Sequence, residues 1–212
     1  LAYGSRLQTV VCTEQAALPF VPAGVRLVAV PGDVMKSISP AQTPQGVLCV
    51  CKMPESALPE RLTGRRYVVL DGVQDPGNVG TVIRTANAFG VDAVILTGAC
   101  ADLFNPKTVR ATMGAIFRQR VLDLPLAELR AALDENGLPL YGAALSETAR
   151  DFREIPLDNA AVAVGSEGNG LSAELLAMCD GQLIIPMRPD SESLNAGVAA
   201  SVIMWEMSRG SL

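Results

Sequence analysis

Histidine is absent from all 212 residues. That omission removes Ser-His-Asp and Cys-His nucleophile systems and every histidine-based zinc site, so any chemistry must use other groups. Aromatic residues are scarce at 4%, and charged residues make up 18%. No run of about 18 apolar residues exists that would predict a membrane-spanning helix. The uncharged stretch 37–51 is broken by Pro40, Gln42, Thr43, Pro44 and Gln45, and the run 193–205 is too short. No secretory leader is visible, and no membrane association is expected. The five cysteines, at 12, 49, 51, 100 and 179, are odd in number and lack the paired spacings of a disulfide scaffold. They read as reduced thiols of a cytoplasmic protein. Cys49-x-Cys51 has no second pair, so two buried strand cysteines are expected there and no metal.

What is present is apolar residue, 49% of the chain. This excludes disorder, collagen and a coiled coil, and predicts one globular domain, or one domain with a small partner. The net charge of −5 argues weakly against nucleic acid, but its distribution matters more. Residues 61–122 hold eight basic side chains against four acids, whereas 123–160 hold three against eight. Arg61, Arg65 and Arg66 precede a strand, and Lys107, Arg110, Arg118 and Arg120 lie in a stretch with no acid between Asp102 and Asp123. Such a surface suits a phosphate-bearing partner. On charge alone an ordinary solvated face is an equal reading.

From residue 67 the apolar runs alternate between strand and helix patterns. Tyr67-Val68-Val69-Leu70 is short and continuous, which predicts a buried parallel strand. Val79, Val82, Ile83, Ala86 and Phe89 share one helix face that Gly90 stops. A strand at 93–96, a helix at 106–113, a strand at 117–122 and a helix from Pro125 to about Glu135 follow, then strands at 138–145, 161–164 and 183–185. A helix near Ser172 and a last helix at 193–209 complete the order. Alternation of this kind predicts a parallel α/β sheet whose ligand lies beyond the C-terminal strand ends. Residues 1–51 differ: strand pieces at 10–12, 25–30 and 46–51 leave little room for long helices, and 52–64, with Pro54, Pro59 and Gly64, reads as a linker. The chain starts at Leu1 rather than Met, so nothing is argued of what precedes it.

The glycine turn Gly165-Ser166-Glu167-Gly168-Asn169-Gly170 has the wrong order for a dinucleotide fingerprint, and Leu171 sits where a P-loop needs lysine. Alone it reads more readily as a tight turn than as a binding loop. Three segments taken together say more: Asp75-Pro76-Gly77-Asn78-Val79-Gly80 with Arg84-Thr85-Ala86, then 164–172, then Ile185-Pro186-Met187 followed by Glu192-Ser193-Leu194-Asn195. In order and spacing they resemble the signature motifs of the SpoU (TrmH-like) RNA 2′-O-ribose methyltransferases of the SPOUT superfamily, over residues 67–209. Residues 10–51, including Thr43-Pro44-Gln45-Gly46-Val47, resemble the C-terminal part of the L30e-like RNA-binding domain that many of these enzymes carry in front, with its usual first helix missing before Leu1.

The resemblance implies an α/β fold with a parallel sheet and a C-terminal deep trefoil knot, preceded by that small, incomplete α+β domain at 1–51, with a linker at 52–64 and the methyltransferase domain at 65–212. It implies a homodimer that uses S-adenosyl-L-methionine to methylate a ribose of ribosomal or transfer RNA. By the same resemblance Ala143, Gly165, Ile185, Met187 and Leu194 bind the cofactor. Arg84 is the catalytic residue, with Asn78 and Asn195 fixing it and the ribose, and Glu167 and Ser193 completing the polar ring. Glu167 is expected either to pair Arg84 or to hold the knot loop. Arg65, Arg66, Lys107, Arg110 and Arg118 are the RNA-binding candidates. Plainer roles stand beside these: Asn78 as a helix cap, Arg84 as a helix-flank arginine, Glu192 as a helix-end charge and Ser193-Leu194-Asn195 as a helix start. In the last helix, small residues (Ala196, Gly197, Ala199, Ala200, Ser201) and the stripe Val198, Val202 and Trp205 suit either a subunit contact or packing on the chain's own sheet. Ser166 stands where asparagine is common in the family, and the polar run 186–192 carries Arg188 and Pro189 where glycine is common. Two rival readings are an RNA-binding protein of this fold without turnover, and an unrelated nucleotide-using α/β enzyme.

Overall fold

The computed structural model describes residues 6–16, 18, 20–53, 62–188, 190 and 193–211. Pro54, Pro59, Arg61, Pro189 and Glu192, and with them most of the expected linker, lie outside the described residues. The chain divides into two compact units, Leu1–Ala57 and Leu58–Leu212.

The first unit holds strand β1 (Leu7–Cys12), β2 (Arg26–Ala29), helix α1 (Gly32–Ile38) and β3 (Val47–Cys51). The sheet order is β2-β1-β3, with β1 parallel to β2 and antiparallel to β3. The strand pieces fall where the apolar runs put them. Helix α1 was not foreseen, because seven residues are too few for a helical period to stand out; Met35 is its one buried side chain. The cysteine expectation needs correction: Cys12 is buried on β1, but Cys49 is exposed and Cys51 half-buried. They sit on β3, which among the described residues has a neighbouring strand on one side only.

The second unit runs β4 (Arg66–Asp71), α2 (Pro76–Phe89), β5 (Ala93–Thr97), α3 (Pro106–Ala111), β6 (Val121–Asp123), α4 (Leu126–Glu135), β7 (Leu140–Ala143), β8 (Arg150–Asp151), β9 (Ala160–Gly165), α5 (Ala173–Met178), β10 (Gly181–Ile184) and α6 (Ala196–Ser208). Its seven strands lie in the order β6-β5-β4-β9-β7-β10-β8, and every pair is parallel. Burial on both faces explains the continuous apolar runs of β4, β5 and β9. Alternate residues serve two cores: Val68, Leu70, Val162 and Val164 pack with α2 and α6, whereas Tyr67, Val69, Ala161 and Ala163 pack with α4 and α5.

Local chemistry sets the boundaries. Helix α2 starts at Pro76 because the Asp75 carboxylate accepts the Asn78 N–H at 2.8 Å, and it stops at Gly90, whose φ of 65° closes the C-terminus. The cap is therefore Asp75, not Asn78. Helix α3 ends at Ala111, short of 113, because residues 112–114 turn through a left-handed Met113 and Gly114. The expected strand at 117–122 shrinks to Val121–Asp123, since Ala115–Phe117 forms a 3-10 turn. Helix α6 begins at Ala196, not 193, where the Asn195 side chain accepts the Val198 N–H at 3.2 Å.

Candidate active site

The C-terminal ends of β7, β9 and β10 face one another across a pocket of about 370 Å³. Its lining comes from the end of β7 and the two residues after it (Ala143, Ala144, Leu145), from the end of β9 and the turn beyond it (164–167 and 169–171), and from Ile184, at the end of β10, with Ile185 and Met187 after it; Ser193, Leu194, Ala196 and Ala199 close the remaining side. The lining is mainly aliphatic or backbone, with Ser166, Glu167, Asn169 and Ser193 as its polar side chains. A pocket of this size and make-up suits a small organic ligand held by apolar contact and a few backbone polar groups.

The glycine turn owes its shape to backbone contact. Ser166 and Gly170 exchange two backbone hydrogen bonds, at 3.1 and 2.8 Å, so the chain doubles back on itself. A Cβ on Gly165 would collide with the backbone of Gly170 and Leu171, which no side-chain movement relieves. Glycine is therefore required at 165 for a reason of space, and at 170 by a φ of 66°.

A residue that sequence reading missed holds this turn in place. Asp71, at the end of β4, lies beside Gly165 in the ladder and is only 6% exposed. Its carboxylate accepts the Ser172 N–H at 2.6 Å, joining positions 101 residues apart. Asp71 falls within the apolar run that opens the domain, and its only sequence signal was a charge ending a buried strand. Nearby, burial pushes the Cys179 thiol up to about 11, with the Asp180 carboxylate adding to the effect. Cys100 is raised by the same cause, with backbone groups of Val73, Thr97 and Gly72 opposing it.

The expected site residues separate into three groups. Ala143, Gly165, Ile185, Met187, Leu194, Glu167 and Ser193 all line the pocket. Asn78 and Asn195 stand at its side: the Asn78 side-chain amide donates to Glu167 Oε1, and the side-chain Oδ1 atoms of Asn78 and Asn195 each lie 3.2 Å from where a Cβ on Gly197 would be. Gly197 thus lets two helix starts, α2 and α6, bring their asparagines together. Arg84 belongs to neither group. It is exposed on α2, does not line the pocket, and takes part in no ion pair among the described residues. Glu167 accordingly holds Asn78 rather than Arg84, and the expectation that the two asparagines fix Arg84 is not met within this chain.

Of the basic candidates, Arg65, Lys107, Arg110 and Arg118 are exposed. Arg66 is half-buried and bound internally, donating to Ser211 Oγ at 2.6 Å and to the Gly90 carbonyl at 3.1 Å. On α6, Ala196, Gly197 and Ala200 are buried toward their own chain, while Val198 and Trp205 are 48% and 51% exposed. Trp205 meets Phe89 of α2 edge-on, with ring centroids 5.5 Å apart. No cluster of three metal-ligating side chains and no helix long and apolar enough to cross a membrane occurs among the described residues.

Comparison with known proteins extends the picture. The SpoU rRNA Methylase family matches residues 65–205. The 23S rRNA (guanosine(2553)-2'-O)-methyltransferase RlmP of Bacillus subtilis is 39% identical over 185 residues, covering 87% of this chain and 73% of the relative. An uncharacterized tRNA/rRNA methyltransferase of Synechocystis is 34% identical over 85% of this chain and 66% of its own length, so the chain spans less than two thirds of that relative. Among solved structures, an AdoMet-bound rRNA methyltransferase from Sinorhizobium meliloti superposes with a TM-score of 0.86 at 31% identity, covering 98% of this chain and 81% of the other. The SpoU methyltransferase AviRb of Streptomyces viridochromogenes, in complex with AdoMet, gives 0.84 at 26% identity over 96% and 83%.

Proposed function

The chain belongs to the SpoU rRNA methylase family, and from that membership we propose that it is an S-adenosylmethionine-dependent methyltransferase acting on a ribose 2′-hydroxyl of ribosomal or transfer RNA. One observation carries the reading: segments distant in sequence, at 143–145, 164–171, 184–187 and 193–199, meet in a single pocket at the C-terminal strand ends. Its aliphatic walls and backbone edges fit an adenine and ribose, and Gly165 leaves the chain no room for any side chain there. The Bacillus relative is named for 2′-O-methylation of 23S rRNA, and the Streptomyces structure contains AdoMet.

When bound, S-adenosylmethionine supplies a methyl group already activated by the sulfonium charge. The protein then has to align the attacking oxygen and manage one proton. In this reading Ala143, Gly165, Ile185, Met187 and Leu194 hold the donor. Glu167 orients the Asn78 amide, and Asn78, Asn195 and Ser193 set the substrate ribose. Arg84 orients the 2′-hydroxyl and the neighbouring phosphate, since a guanidinium offers a planar fork of donors to phosphate oxygens and is a poor base on its own. Because Arg84 stands outside the pocket of its own chain, the site is completed in a homodimer, in which Arg84 works beside the partner subunit. The exposed Val198 and Trp205 on α6 supply an apolar surface for that contact.

The same reading takes residues 1–51 as an L30e-like RNA-binding domain, 52–64 as linker and 65–212 as the methyltransferase domain. It takes the C-terminal part of this domain as folded into the family's trefoil knot. Arg65, Lys107, Arg110 and Arg118 bind phosphate, with Arg66 kept for the contacts that hold β4 to the chain end. The enzyme works in the cytoplasm, where its RNA is found. The test is calorimetric titration of S-adenosylmethionine into wild type and Leu194→Trp, with molar mass read by light scattering. Expected are one site per chain in a dimer, and no binding by the variant, whose indole fills the pocket. A folded wild-type protein that takes up no donor would overturn the assignment.

A further inference from the structure

Met113 is the sole non-glycine residue at positive φ among the described residues, at 48°. The left-handed region is costly for a bulky side chain that makes no local hydrogen bond, and a residue persists there only where its surroundings hold it. They do so here. The Met113 N–H donates to the Arg110 carbonyl at 3.1 Å, the Ala115 N–H to Thr112 at 2.9 Å, and the Thr112 hydroxyl to Val109 at 2.7 Å. Ala115 and Ile116 anchor the following turn in the core. Yet the Met113 side chain is 71% exposed, so little of it is buried by its own chain. Strain at an exposed apolar tip asks for a partner from outside.

The tip stands close to the helix that carries the first motif. Helix α3 packs on α2 at Gly80, where a Cβ would lie 2.8 Å from the Thr108 carbonyl. Gly80 comes two residues after Asn78 and one helical turn before the exposed Arg84. Along the segment that carries the tip, Lys107, Arg110 and Arg118 are exposed and join no ion pair among the described residues, and the chain has no acid between Asp102 and Asp123. An apolar tip with exposed cations on both sides of it along the chain suits a nucleobase flanked by phosphates. A second copy fits poorly, because a symmetric contact at Met113 would set these cations against their own copies.

We infer that the turn 112–114 is a wedge for the RNA substrate, with the Met113 thioether packing on the face of an unstacked base; the inference rests on the methyltransferase reading above. A 2′-oxygen inside a stacked helix is poorly placed for in-line attack, and RNA sites of this kind are reached by splaying a nucleotide and giving its base a new stacking surface. Methionine is flexible and polarizable, so it serves any base and contributes position rather than sequence.

The experiment uses Met113→Gly, which relaxes the backbone while removing the tip, and Arg110→Ala as a comparator. The probe is 23S rRNA transcribed in vitro and so unmodified. For Met113→Gly the expectation is an unchanged or higher melting temperature, unchanged S-adenosylmethionine affinity, and RNA affinity about 5- to 20-fold weaker with the same salt dependence. For Arg110→Ala the slope of log affinity against log salt falls by about one, the mark of a lost phosphate contact. Met113→Gly binding RNA within twofold of wild type overturns the inference, as does a shift from dimer to monomer, which assigns the tip to a contact between copies. A wild type that binds the methyl donor but no RNA removes the wedge alone; one that binds neither removes the methyltransferase reading and the wedge with it.

Discussion

Replacing Asp71 by alanine removes the acceptor that ties Ser172 to the end of β4. The bond is short, 2.6 Å, it is made by a carboxylate at 6% exposure, and it closes a return of 101 residues. Hydrogen bonds to charged groups contribute about 1.5–3 kcal/mol net. A free energy of about 1.4 kcal/mol corresponds to tenfold in affinity. If the bond serves to hold the 165–172 turn in its binding shape, donor affinity falls about 10- to 150-fold. Global stability changes less, because the mutation also removes a buried carboxylate and with it a desolvation cost. Asp71→Asn keeps an oxygen acceptor but loses the charge, and should fall between wild type and alanine. Calorimetric titration of S-adenosylhomocysteine and urea unfolding of the three proteins separate the two effects. Donor affinity for Asp71→Ala within twofold of wild type would refute the reasoning, as would a loss of affinity fully matched by a loss of stability.

Two further outcomes follow from the same region. Gly165→Ala forces a Cβ into the backbone of Gly170 and Leu171, so donor binding should vanish and the fold lose about 1–3 kcal/mol, read by calorimetry and thermal melting. Cys179 holds its proton up to about pH 11 in the fold, while an unfolded chain releases it near 9. Its contribution is therefore complete below about pH 9 and is lost as pH rises toward about 11. Cys100 acts in the same direction, so the diagnostic is the difference between wild type and Cys179→Ala: the variant should lose less stability over that interval, and equal slopes would refute the assignment.

Sequence by itself determined the class of fold and most of its parts. Continuous apolar runs at 67–70, 93–96 and 161–164 became parallel strands inside the sheet, because a strand buried on both faces has no polar side to show. Gly90 and Ser172 marked helix ends through backbone chemistry that acts within a few residues, whereas the start of α2 at Pro76 was not read from the sequence. The motifs also named the residues that line the pocket, since glycines and aliphatics at strand ends are what close backbone approach requires. Shorter elements were misplaced where local pattern and tertiary contact disagreed: α1 is too brief to display a period, and Phe117, read as strand, lies in a 3-10 turn set by Gly114.

Tertiary structure decided what depends on distance through space. Nothing near Asp71 in sequence announces that Ser172 will come to it, and nothing in Glu167 says that Asn78, not Arg84, will be its partner. Gly197 reads as a small helix residue until the side-chain oxygens of two asparagines converge upon it. Patterns spaced by two residues or by a helical turn record which face is buried, but they carry no information about which buried faces meet. That is settled by how the strands are ordered, with β9 between β4 and β7, and the pocket exists only because that order gathers their C-terminal ends.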